Sequence, residues 1–245
     1  MKNFGSGKSL FARSAVAIAA LGAGASAFAD LSPIIFSVQA SNSNGAGSWS
    51  VAYDPINDGP DGFFWNGGPQ TIVDGDGDEI AIVELASMSA FSDPAVGLTF
   101  TVQALAANTN FLISSAVLSF PTIAPATGIA SCGLTVTDSD TSSSASASGN
   151  IGATGGSICV ASYNGGTIFG ENINPVSTNV PAGTATGNYS TGLQPIGSVS
   201  SIALDYGFTL SANDSASATA VFFVIPEPSS LALIGLGVVA LIRRR

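Results

Sequence analysis

Hydrophobic and polar residues alternate along much of the chain between residues 30 and 225. Alternation with a period of two predicts half-buried β-strands, because successive side chains of a strand point to opposite faces of its sheet. No stretch in this region combines helix caps with the apolar repeat of about 3.6 residues that a helix needs. The clearest runs place apolar side chains on one face at Phe100, Val102 and Ala104, at Ile202, Leu204, Tyr206, Phe208 and Leu210, and at Ala216, Ala218, Ala220 and Phe222.

The strand candidates are short, and turn-forming clusters such as Asn57-Asp58-Gly59-Pro60 separate them. Roughly 200 residues suffice for one sizeable core. We therefore predict one all-β domain over residues 30–225, a β-sandwich or jelly roll of about ten short strands. Further strand candidates are Ile34–Gln39, Trp49–Tyr53, Ile80–Leu85, Phe111–Phe120, Leu134–Thr137 and Ile158–Tyr163.

The first 29 residues are typical of a secretory signal peptide. A positive region, a short apolar stretch and an A-x-A cleavage site follow one another at Lys2, Lys8 and Arg13, at Ala15–Leu21, and at Ala27-Phe28-Ala29. We expect signal peptidase to cut between Ala29 and Asp30. The alternative is a retained signal anchor.

The last twenty residues form a second targeting segment. It contains, in order, Pro226-Glu227-Pro228, the uncharged apolar run Leu231–Ile242, and Arg243-Arg244-Arg245. At about 1.5 Å per residue the apolar run is short for a hydrocarbon core of about 30 Å. The arginines favour a cytoplasmic end. We expect a short hydrophobic helix that anchors the chain in the membrane.

This tail resembles the PEP-CTERM sorting signal, on the Pro226-Glu227-Pro228 triplet, the apolar run and the arginine cluster. The resemblance is limited to the termini. It implies a bacterial exported protein that is transiently anchored in the membrane and processed by an exosortase, a membrane-embedded cysteine transpeptidase. It also implies delivery to the cell surface or extracellular space, in bacteria that typically make extracellular polysaccharide. An ordinary tail anchor that is never processed is the alternative.

Charge narrows the possible functions of the central region. All six Lys and Arg residues lie in the two targeting segments, the chain has no His, and fifteen of the sixteen acidic residues lie between Asp30 and Ile225. Such a domain repels phosphate backbones, which excludes nucleic-acid binding. It has no imidazole base, Schiff-base lysine or cationic phosphate clamp. We therefore predict no enzyme, although a glycosidase that uses two carboxylates needs none of these groups.

The chain has two cysteines, Cys132 and Cys159. An even count in an exported protein favours a disulfide, with two buried free thiols as the alternative. The enclosed stretch Asp138–Asn150 is rich in Ser, Ala and Thr, and we expect a loose loop or a weak exposed strand there.

The run Asp74-Gly75-Asp76-Gly77-Asp78-Glu79 is the strongest candidate for a metal site. Carboxylates at Asp74, Asp76 and Asp78, completed by Glu84, could converge on Ca²⁺. The spacing departs from an EF-hand loop, and an Asp-Gly hairpin turn explains the composition equally well. A second acidic loop contains Asp54, Asn57, Asp58 and Asp61.

An aromatic group that includes Trp49, Tyr53, Phe63, Phe64 and Trp65 lies close by in sequence. Exposed rings stack on sugar faces, so Trp49 and Trp65 are candidates for a lectin-like site; the alternative is that these rings close one end of the core. Taken together, the sequence predicts an exported surface or matrix protein with a structural or adhesive role and calcium as a candidate ligand. The alternative function is a carbohydrate-binding module associated with exopolysaccharide.

Overall fold

The computed structural model of the protein describes residues 30–142, 144–172 and 175–227. Strands dominate these ranges, as the alternating pattern predicts, and the all-β prediction is confirmed. No helix in the described ranges is long and apolar enough to cross a membrane. The predicted signal peptide and the predicted C-terminal helix lie outside the described residues.

Seventeen strands and one 3₁₀ turn, Pro55–Asn57, are found along the described ranges. In chain order the strands are β1 Asp30–Leu31, β2 Ile34–Ser41, β3 Ala46–Ala52, β4 Asp58–Gly59, β5 Gly62–Gly67, β6 Gln70–Val73, β7 Glu79–Phe91, β8 Ala95–Ala104, β9 Thr109–Ser115, β10 Leu118–Thr137, β11 Ala145–Gly149, β12 Cys159–Tyr163, β13 Thr167–Asn172, β14 Val176–Thr178, β15 Thr184–Ser190, β16 Gln194–Leu210 and β17 Ser215–Pro226.

The strands pair antiparallel in one sheet that curls into two facing layers. One layer runs β3–β2–β9–β16, and β16 also pairs with β11 and β12. The other runs from β5 and β6 through β7, β8, β17 and β10 to β15. The first halves of β10 and β16 pair with each other, with register shifts that bend the sheet, and so join the two layers.

Large side chains from both layers meet in the core. Phe100 of β8 lies edge-on to Tyr206 of β16, with ring centroids 5.0 Å apart. The Tyr206 hydroxyl crosses the core and donates to the backbone oxygens of Gly133 (3.0 Å) and Thr219 (2.9 Å). Burial raises the pKa of Tyr206 well above its usual value, so the phenol remains a donor. This hydroxyl ties the two layers together.

The strands are longer and more numerous than predicted. β10 has 20 residues and β16 has 17. The sequence predicted shorter strands because the alternation is interrupted where these strands bend, although each strand continues through its bends. Of the two alternatives predicted for Asp138–Asn150, the strand is found over the second part, but the prediction that it is exposed was wrong. β11 lies there, and its Ala145 and Ala147 are fully buried.

Candidate functional site

The two tryptophans lie where the edges of the two layers approach each other. Trp49 of β3 lies opposite buried Val38, and Trp65 of β5 lies opposite buried Met88, so both rings point inward. The Phe36 ring contacts both, with centroids 5.5 Å from Trp49 and 5.6 Å from Trp65. The tryptophans are half-buried and close the seam between the layers. A sugar site on Trp49 and Trp65 stays a prediction.

An open pocket of about 430 Å³ lies beside this seam. Its aromatic walls are Tyr53, Phe63 and Phe91, and carboxylates enter from Asp30 and Asp58. The Tyr53 and Phe63 rings are 5.6 Å apart, and the Tyr53 hydroxyl donates to the Asp58 carboxylate at 2.5 Å. This hydrogen bond is the main cause of a raised pKa for Tyr53, which keeps the phenol protonated. The pocket therefore combines apolar ring faces with carboxylate acceptors.

Local structure explains how Asp58 reaches Tyr53. The Asp54 carboxylate accepts from the backbone N–H of Ile56 (3.0 Å) and starts the 3₁₀ turn. That turn leads into the β4–β5 hairpin, in which Asp58 lies directly opposite Phe63. Asp58 of the predicted second acidic loop thus lines one pocket together with Tyr53 and Phe63 of the aromatic group.

The Asp74 run forms the hairpin turn between β6 and β7. One oxygen of the Asp74 carboxylate accepts from the backbone N–H groups of Asp76 and Asp78, both at 2.9 Å. The side chains of Asp76 and Asp78 are exposed, and Glu84 lies on the exposed face of β7. The structure therefore shows a turn that Asp74 stabilises, which is compatible with the calcium prediction but does not test it.

Carboxylates converge elsewhere. Within the described ranges, the one group of three or more possible ligand side chains whose ligand atoms lie within 4.8 Å of one another is Asp138, Asp140 and Asp214. Asp138 follows β10 and Asp214 precedes β17, and these neighbouring strands pair up to Thr137 and Ser215. Carboxylate oxygens are the ligand type that Ca²⁺ takes.

Two of the three carboxylates in this cluster are buried and hydrogen-bonded. Asp138 accepts from the Ala182 N–H at 3.1 Å, and Asp214 accepts from the Ser139 N–H at 3.3 Å and from the Ser211 hydroxyl. Loss of hydration raises the pKa of Asp214, and the charges of Asp140 and Asp138 raise it further.

The predicted disulfide is not present in the structure, which holds Cys132 and Cys159 as thiols. The two cysteines nevertheless come together: both are buried, and their side chains are close enough to hydrogen-bond. Cys132 belongs to β10 and Cys159 to β12, so a bond between them would join the two layers. Burial raises the pKa of the Cys159 thiol well above its usual value, which suppresses its reactivity.

The predicted sorting residues begin inside the last strand. Pro226 lies opposite Ala126 of β10, and the Glu227 N–H donates to the Pro125 oxygen at 3.2 Å. Pro228, Arg243, Arg244 and Arg245, like Ala27 and Ala29 of the predicted signal cleavage site, lie outside the described residues. Asp30, predicted to start the exported chain, starts β1 and pairs with Ser119.

These features define an all-β protein whose last strand runs directly into a C-terminal tail. Residues 224–245 match the family described as the PEP-CTERM protein-sorting motif. The chain thus carries this motif at its C-terminus, and the recognition from sequence is confirmed. The motif implies export and exosortase sorting to the cell surface or extracellular space.

The other comparisons are distant. No curated protein matches the chain. The structure of TmCBM61 in complex with beta-1,4-galactotriose is 15% identical over 54% of this chain and 71% of its own, with a TM-score of 0.28. Arabinose-bound MgGH51 α-L-arabinofuranosidase is 15% identical over 57% of this chain and 22% of its own, with a TM-score of 0.26. Scores this low support no statement about fold or ligand.

Sequence reasoning missed the Asp138–Asp140–Asp214 cluster. Only Ser139 separates Asp138 from Asp140, but Asp214 is far away in the chain. The one available signal was that an acidic residue borders each of two long alternating runs. If the two runs paired as strands, these acidic residues would come together.

Proposed function

We propose that this protein is a non-catalytic surface or matrix protein with a structural or adhesive role. The observation that carries the proposal is the continuity of the sorting motif with the last strand of an acidic β-domain. A domain without Lys, Arg or His side chains lacks most catalytic chemistries, and its two cysteines are buried. A glycosidase remains the competing enzyme hypothesis; it predicts turnover that disappears when one carboxylate is changed to its amide.

The test follows the full chain in a bacterium that carries an exosortase. We expect the protein at the cell surface or in the medium without its C-terminal arginines. The variant Arg243→Ser/Arg244→Ser/Arg245→Ser should instead accumulate unprocessed, because the positive end of the anchor is gone. Surface protein that retains an intact Arg245 end would contradict the proposal.

A second candidate function is carbohydrate binding, and the pocket of Tyr53, Phe63 and Asp58 favours it. Ring faces stack on the apolar faces of sugars, while a phenol and a carboxylate hydrogen-bond to sugar hydroxyls. The site would be the open pocket rather than the inward-pointing Trp49 and Trp65.

Affinity electrophoresis in the host's exopolysaccharide tests this function. Tyr53→Phe removes the donor of this hydrogen bond and Asp58→Ala removes its acceptor, and we expect at least tenfold weaker retention for each. Tyr163→Phe, a change of the same type at the last residue of β12, which does not line the pocket, is the matched control and should bind normally. Unchanged retention in all three variants would exclude this pocket; loss in Trp65→Ala alone would return the site to the tryptophans.

A further inference from the structure

The side chains of the open pocket beside the seam offer a ligand mainly acceptors and negative charge. Both charged side chains that line the pocket, Asp30 and Asp58, are carboxylates. The Tyr53 hydroxyl donates its only proton to Asp58, so the phenol oxygen can only accept from a ligand. Ser92 contributes the remaining side-chain hydroxyl of the lining. A ligand that fits this lining must therefore bring donors of its own.

Negative charge accumulates around the Tyr53 phenol. The hydrogen bond to Asp58 is the main cause of the raised pKa of Tyr53, and the charges of Asp58, Asp30 and Asp54 raise this pKa further. No Lys, Arg or His occurs between residues 14 and 242 to balance these carboxylates. Cleavage before Asp30, as the sequence predicts, adds one α-amino group at the pocket. One positive charge against three carboxylates leaves the pocket negative.

Aromatic rings form the apolar part of the same lining. The Tyr53 and Phe63 rings have centroids 5.6 Å apart and planes inclined by 34°. Phe91 lines the pocket from β7, and Phe64 packs edge-on against it with centroids 5.2 Å apart. Aromatic faces attract cations as well as the apolar faces of sugars. The volume of about 430 Å³ lies in the range of small-molecule pockets.

We propose that this pocket binds an unacetylated amino sugar, whose ammonium group lies between the carboxylates of Asp30 and Asp58. The inference rests on the carbohydrate-binding function proposed above and names its ligand class. An ammonium group brings three donors and a positive charge, and its sugar ring brings an apolar face for the aromatic walls. A neutral sugar lacks the charge, and the carboxylates repel a uronic acid. A lysine side chain has the ammonium group but no ring to stack.

A matched pair of ligands tests the inference. A β-1,4-linked glucosamine tetramer and its fully N-acetylated form share the same sugar backbone, but only the first carries ammonium groups. Titration calorimetry at low salt, with the protein recovered from its bacterial host, should show about tenfold tighter binding of the unacetylated tetramer, because hydrogen bonds to charged groups are the stronger ones. The difference should shrink in about 1 M salt, which screens charges beyond about 3 Å. Equal or tighter binding of the acetylated tetramer would overturn the inference and leave carbohydrate binding intact.

The variant Asp30→Asn/Asp58→Asn separates the charge of the pocket from its shape. Each amide keeps an oxygen that accepts hydrogen bonds, including the one from Tyr53, but carries no negative charge. We expect the preference for the unacetylated tetramer to disappear while the acetylated tetramer binds as before. Asp76→Asn/Asp78→Asn removes the same net charge in the turn at the opposite end of β7 and is the matched control, which should keep the preference. A preference that survives in Asp30→Asn/Asp58→Asn would overturn the inference.

Two further ligands distinguish the remaining outcomes. Tetralysine carries ammonium groups on flexible chains without sugar rings, so we expect it to bind more weakly than the glucosamine tetramer. Equally tight binding of tetralysine would show that charge alone is recognised and would overturn the inference. The host's exopolysaccharide is the reference glycan. Binding of this polymer without binding of either tetramer would overturn the inference alone, whereas no binding of any of the three glycans would overturn the carbohydrate-binding function as well.

Discussion

The Asp74 turn and the Asp138–Asp140–Asp214 cluster gather carboxylates in opposite ways. In the turn, three Asp residues alternate with glycines in sequence, yet one carboxylate caps the backbone and the other two are exposed. In the cluster, antiparallel pairing of β10 with β17 brings together the ends of two distant strands, and two of the three carboxylates are buried. A dense run of like residues therefore says less about a shared site than the pairing of long strands does.

Cys132 and Cys159 are a second group that long-range pairing brings together, and they carry the largest expected effect. Oxidation should raise the free energy of unfolding by about 3.5 kcal/mol, from the lost entropy of the enclosed unfolded loop. Chemical denaturation of the full chain with and without reductant measures this difference, and an oxidised mass lighter by two hydrogen atoms identifies the bond. Cys132→Ala/Cys159→Ala is the control, and its free energy of unfolding should be the same with and without reductant. Identical midpoints and masses for the wild type would rule the disulfide out.

Calcium distinguishes the two acidic regions directly. If the turn binds it as predicted from sequence, calcium at about a hundredfold excess over Kd stabilises the protein by about 2.7 kcal/mol. We expect this gain to vanish in Asp76→Asn and to persist in Asp140→Asn, with magnesium at equal ionic strength as the control. The reverse pattern would show that calcium binds at the cluster. An unchanged stability of the wild type in calcium would show that neither region binds it.

Even without a metal, removal of a carboxylate should affect stability differently in the cluster and in the turn. Asp214→Ala deprives the Ser139 N–H and the Ser211 hydroxyl of their buried acceptor, at an expected cost of about 2 kcal/mol. Asp76→Ala removes an exposed side chain and should change stability by less than about 0.5 kcal/mol. Denaturant midpoints at neutral pH provide the comparison; equal effects would contradict the distinction between a buried cluster and a surface turn.

The smallest effect is the dependence of stability on pH. Desolvation raises the pKa of Asp214 and of Asp205, so the folded protein binds protons at a higher pH than the unfolded chain does. The free energy of unfolding should therefore rise as the pH falls from 7 towards about 4, by about 1.4 kcal/mol for each unit of raised pKa.

Unfolding midpoints across this range measure the slope. Asp214→Asn should reduce the slope, because that variant has no proton to take up at this position, and leave only the contribution of Asp205. Asp76→Asn, which changes the net charge equally, is the control and should keep the slope. A curve that falls as the pH is lowered would contradict the sign.

The period-two pattern predicts the class of fold because burial of alternate side chains is a local property of a strand. The faces predicted around Phe100, Tyr206 and Phe222 are all buried as expected. The curl of the sheet and the joining of layers by β10 and β16 depend on pairings between distant residues, which alternation does not encode. The sequence predicted the residues of the pocket but not the pocket itself. Tyr53 and Phe63 belong to the predicted aromatic group and Asp58 to the predicted acidic loop. The β4–β5 hairpin that brings the two groups together was not predicted.

The distribution of charge has a consequence for how long the protein survives outside the cell. A protease whose specificity pocket requires Lys or Arg finds no bond to cut between Arg13 and Arg243. Once the two targeting segments are removed, this resistance follows from the amino-acid sequence alone and does not depend on the fold. Trypsin-like enzymes would leave even the denatured domain intact.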